Sequence, residues 1–92
     1  MNDSSIVLPV HIDPAHAYFE VDVSIVAQFK LTPSRFSFVS PDGKTYYLEE
    51  DVDAEQLILA LSNNRVGFSF TEVNHAELAF FRNYPRATRT VH

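Results

Sequence analysis

Ala17 to Leu31 reads AYFEVDVSIVAQFKL, and whether this stretch is a single strand decides the fold. Phe19, Val21, Val23, Ile25, Ala27, Phe29 and Leu31 are apolar. Glu20, Asp22, Ser24, Gln28 and Lys30 between them are polar, and Val26 alone breaks the alternation. A period of two marks a strand with one buried face. From Phe19 onward such a strand would span roughly 43 Å at about 3.3 Å per residue. A compact domain of this length is only about 30 Å across. The strand must therefore bulge, curl or overrun the domain. An overrun leaves unpaired backbone and apolar side chains that call for a partner, so the expectation is a homodimer.

Working outward, residues 5–12 alternate Ile6, Leu8, Val10 and Ile12 with Ser5, Val7, Pro9 and His11. This predicts a strand, placed at a sheet edge because Pro9 has no N–H for a ladder. Residues 34–50 predict a hairpin closed by Ser40-Pro41-Asp42-Gly43, with Pro41 presetting its φ and Gly43 free to take φ > 0. Residues 53–63 predict a helix with Asp53 as N-cap, Gln56 completing a capping box, and Leu57, Ile58 and Leu61 on one face. Residues 65–72 predict a strand. Residues 75–83 predict a second helix capped by Asn74 and stopped by Pro85, with a final strand at "ELAFF" as the alternative. Residues 1–4 and 86–92 are expected to be loose.

The order β-β-β-β-α-β-α defines an α+β domain. The expected sheet has about five strands, mainly antiparallel, with two short helices on one face. The strand–helix–strand unit from 44 to 71 admits a parallel last strand through a right-handed crossover. A partly closed β-barrel with helices is the alternative.

Composition narrows the function classes. The chain has 92 residues, enough for one domain, and is 46% hydrophobic, which argues against disorder. It has no cysteine, so disulfides and thiolate chemistry are excluded. The net charge is −5, and the cations are scattered apart from Arg82, Arg86 and Arg89. Phosphate neutralisation needs a basic face, so a nucleic-acid partner is disfavoured. The first residues lack the charged start and apolar centre of a signal peptide, and no run approaches the roughly 20 apolar residues of a membrane span. The expectation is a soluble cytoplasmic protein without a membrane partner.

"HIDPAH", His11 to His16, raises the question of chemistry. His11 and Asp13 project to one side of an extended segment. With His16 or the distant His75 they would match a two-histidine, one-carboxylate metal site. Asp13-Pro14 is equally a turn opener, because Asp side chains accept nearby backbone N–H groups. Glu20 and Asp22 are a possible acid–base pair, or simply the solvated face of a strand. Glu49, Glu50, Asp51, Asp53 and Glu55 in "EEDVDAE" favour a helix start and could also form an acidic docking patch. Tyr18, Val26, Val39 and one of Tyr46 or Tyr47 would make an outer sheet face partly apolar, as interface cores are. There is no Gly-x-Ser-x-Gly and no glycine-rich phosphate loop, and no cofactor is expected.

The resulting expectation is a small acidic interaction module of bacterial or phage accessory type. It would be non-enzymatic and homodimeric through a strand edge or exposed sheet face. The alternatives are a small ligand-binding or metal-dependent enzyme using His11, Asp13, His16 or His75, and an acidic mimic of nucleic acid.

Overall fold

A computed structural model describes residues 5–87. Along the chain come β1 (Ser5–Ile12), β2 (Ala17–Asp22), α1 (Val23–Gln28), β3 (Phe38–Val39), β4 (Thr45–Glu49), α2 (Asp53–Asn63), β5 (Gly67–Asn74) and a 3-10 turn, Phe80–Asn83. They form one α+β domain around a five-stranded sheet of order β3-β4-β2-β1-β5. The sheet is mixed and open: β5 runs parallel to β1, while the other three pairings are antiparallel.

Ala17–Leu31 is not one strand. β2 ends at Asp22, whose carboxylate accepts the Ser24 N–H at 2.9 Å and caps α1. The apolar positions Val23, Ile25, Val26 and Phe29 suit a short helix as well as a strand. The helix wins because it turns Val26 inward, where it packs with Leu8, Val21, Leu48, Leu57 and Leu61. Lys30, at φ 53°, then reverses the chain. With the strand cut to six residues, the overrun that suggested a dimer disappears.

Pro9 does not mark an edge strand either. β1 lies between β2 and β5. The β1–β2 ladder runs from Ile12↔Ala17 to Val10↔Phe19 and stops one residue short of Pro9. Pro9 is in register with Thr71 of β5, but the Ile12 carbonyl faces β5, so by alternation the Pro9 nitrogen faces the β2 side, where the ladder has already ended.

The hairpin forms with much shorter strands than residues 34–50 suggested. Its turn is as read from the sequence: Gly43, at φ 75°, donates its N–H to the Ser40 carbonyl at 2.8 Å. The 53–63 helix forms, but neither expected cap residue caps it. Asp53 Oδ2 accepts the Ser34 N–H and the Ser34 and Ser37 hydroxyls, and Gln56 Oε1 accepts the Thr32 N–H and hydroxyl. Both side chains tie α2 to the 32–37 loop.

The helix expected at 75–83 is replaced by bends and one 3-10 turn. Its backbone is claimed by distant groups. The His75 N–H donates to the Ile12 carbonyl at 2.8 Å and the Ala79 N–H to Asp13 Oδ2 at 3.0 Å. This segment covers the sheet face opposite α1 and α2. Phe81, fully buried, stacks on Tyr47 at 4.1 Å and packs against Tyr18 and Phe38. Arg86 and Ala87, expected to be loose, are held in place: Arg86 bridges to Phe38 and the Ala87 N–H donates to the Ser37 carbonyl. The loose ends expected at 1–4 and 88–92, with Arg89, lie outside the described residues. No described helix is long and apolar enough to cross a membrane.

Candidate functional site

Three strands and the C-terminal segment converge on His11. β1 points its side chain to the face away from the helices, beside Tyr47 of β4 and beneath Phe80 and Phe81. Only 6% of His11 is exposed. Its Nε2 lies 2.7 Å from Glu20 Oε1 on β2, and its Nδ1 lies 2.8 Å from His75 Nε2, just after β5. With Glu20 as carboxylate, Nε2 carries the proton and donates it. With His11 neutral, Nδ1 is the acceptor and His75 donates its Nε2–H. Glu20, His11 and His75 form one hydrogen-bonded chain, closed at a carboxylate and ending at an imidazole.

The rings of His11 and His75 are 5.1 Å apart between centroids with 28° between their planes. That is the separation of two imidazoles placed end to end across their shared hydrogen bond. Their lone-pair axes face each other rather than meeting at a third point, as metal ligation requires. The contact joins the two imidazoles through one hydrogen bond at 2.8 Å.

Asp13 serves a different purpose. Its side chain is fully buried. It accepts the Arg82 Nε at 2.7 Å and a terminal nitrogen at 2.9 Å, together with the N–H groups of Ala15, His16 and Ala79. The Arg82 hydrogen bonds outweigh burial and hold the Asp13 carboxyl well below the usual carboxylate range. The same contact raises Arg82. His16, half-exposed, faces Glu50 at 3.4 Å. Of the four residues His11, Asp13, His16 and His75, only His11 and His75 come together. Among the described residues no group of three His, Asp or Glu side chains has metal-holding geometry. The turn reading of Asp13-Pro14 matches the local contacts, and its carboxylate also anchors the C-terminal segment.

The other candidates disperse. Tyr18 and Tyr47 are buried on the face covered by Phe81, whereas Val26 and Tyr46 belong to the helix side. Val39 is half-buried on the two-residue β3. Burial pushes the Tyr47 hydroxyl up to about 12 and raises Tyr18. In the acidic run, Glu49 and Asp53 are buried, leaving Glu50, Asp51 and Glu55 at the surface. Glu20 and Asp22 part company: one holds His11 and the other caps α1.

Sequence reasoning missed Glu20 and Arg82 as partners. Both needed the long-range register, which spacing along the chain does not supply. Comparison with protein families finds no matching family model, and comparison with curated proteins and with solved structures finds no match.

Proposed function

We propose that this chain is a protein-interaction module that associates by strand addition at the outer edge of β5, and that its first partner is a second copy of itself. The observation that carries this reading is the edge. β5 is eight residues long and pairs only with β1 among the described residues. His75 sends its N–H inward to Ile12. Because alternate residues of a parallel strand bond to opposite sides, Gly67, Ser69, Thr71 and Val73 also face β1. Phe68, Phe70, Glu72 and Asn74 then turn their N–H and C=O groups outward.

Natural edges are blunted by lysine, proline, bulges or short length. Gly67–Asn74 contains neither lysine nor proline, and it pairs with β1 without a break. Phe70, 50% exposed, gives the strand an apolar side chain beside the free edge. The opposite edge is closed differently: β3 is two residues long and is bridged by Arg86. A second β5, antiparallel and related by a two-fold axis, offers the same outward groups. With the axis at Phe70 or Thr71, Glu72 faces an aromatic ring of the other copy and not another carboxylate.

Light scattering at micromolar concentration tests the proposal. The expected mass is twice 10.5 kDa, falling to the monomer value in Glu72→Pro, which removes an outward donor and no bond to β1. A monomeric wild type would overturn it.

A further inference from the structure

We propose that His75 is a nucleophilic imidazole, supported from behind by His11 and Glu20, that accepts acyl groups from small activated esters. The outer end of the chain carries the argument. His75 Nε2 is engaged by His11, while its Nδ1 has no hydrogen-bond partner among the described residues and is not buried. That nitrogen therefore reaches the surface with a free lone pair. His75 lines a shallow depression together with Asn74, Ala76, Glu77, Leu78 and Phe80. Leu78 and Phe80 are more than half exposed there and offer an apolar seat for an ester's leaving group.

The chain behind His75 accommodates one proton without losing a contact. When Nδ1 attacks an ester carbonyl carbon, the carbon–oxygen bond to the leaving group breaks and the alkoxide departs with the electron pair. The Nε2 proton passes to His11 Nδ1, leaving a neutral acyl-imidazole, and the positive charge on His11 is balanced by Glu20 at 2.7 Å. Water then attacks the acyl carbon, its oxygen and one hydrogen leave in the carboxylic acid as the carbon–nitrogen bond breaks, and its other proton passes to solvent. The proton held on His11 returns to His75 Nε2, and a solvent proton neutralises the alkoxide. The sum is ester plus water giving acid plus alcohol. A positioned nucleophile with its proton acceptor in hydrogen-bond contact is the arrangement this chemistry requires. His75 is the catalytic residue; His11 and Glu20 are positioning residues. Glu20, Tyr47, Glu77 on the same depression and, beyond Tyr47, Tyr84 are the titratable groups around His11 and His75 among the described residues.

p-Nitrophenyl acetate tests the turnover and diethyl pyrocarbonate locates the nucleophile. The expected result is p-nitrophenolate release by the folded chain, at least about tenfold slower in His75→Gln and unchanged in His16→Gln. Glu20→Gln is expected to slow release several-fold and to shift the pH–rate profile, which a purely structural carboxylate would not do. In the wild-type chain, mass spectrometry is expected to find ethoxyformylation at His75 about tenfold faster than at His16, so the outcome does not depend on whether a variant folds. Equal labelling of the two histidines, or release unaffected by His75→Gln in a folded variant, would overturn the proposal.

Discussion

Asp13 grips Arg82 through both carboxylate oxygens, at 2.7 and 2.9 Å, across 69 residues of chain. The Asp13 side chain is fully buried while that of Arg82 keeps 22% of its surface. Removing the acid strands a cation against Tyr18, whose ring lies 5.2 Å from the guanidinium carbon. Breaking a buried pair from one side costs about 3–5 kcal/mol. Asp13→Ala is expected to lose that much in urea unfolding, a large share of a small domain's stability.

The same pair sets an acid limit. Asp13 ionises at lower pH in the folded chain than in the unfolded one. The carboxylate therefore stabilises the fold above the ordinary aspartate value of about 4, and that contribution drains away as pH falls through it. Melting temperature is expected to decline from about pH 5 downward. Asp13→Asn should melt lower at neutral pH and show a flatter decline, as read by circular dichroism.

On the alkaline side the sign reverses in origin. Burial raises Tyr47 to about 12 and also raises Tyr18, so both hydroxyls are held neutral by folding. Their contribution is complete below the ordinary tyrosine value of about 10 and is lost as pH rises beyond it. Tyrosinate absorbance is expected to rise together with unfolding above that value, and Tyr47→Phe should delay both.

Phe81 tests the second core. Fully buried and stacked on Tyr47, it fastens the C-terminal segment to the sheet. Phe81→Ala should cost about 3–5 kcal/mol and release tyrosine signals from their ordered environment in near-ultraviolet circular dichroism. An equally large loss is not expected from Phe80→Ala, because Phe80 is 54% exposed.

Much of this architecture is legible in the sequence. The α+β class, the five strands, with β2 drawn too long, and the 53–63 helix follow from periodicity and turn residues. Two elements do not, for definite reasons. Val23, Ile25 and Phe29 fit a two-residue period and, with Val26, a helical one over so short a run, and burial of Val26 against Leu57 and Leu61 selects the helix. Asn74 and Glu77 imitate a helix start, but Asp13 takes the Ala79 N–H and His11 takes the His75 ring, so tertiary bonds displace the helical ones. The histidine pair was foreseeable only as a distance question. That His11 would face Glu20 depended on a β1–β2 register fixed by the turn at Asp13.

The association claim is tested most directly by amide hydrogen exchange along β5 at several protein concentrations. The N–H groups of Phe68, Phe70, Glu72 and Asn74 are expected to be protected in concentrated solution and to lose that protection on dilution, while those of Ser69, Thr71 and Val73 stay protected throughout. Fast exchange of the first set at every concentration would contradict the account.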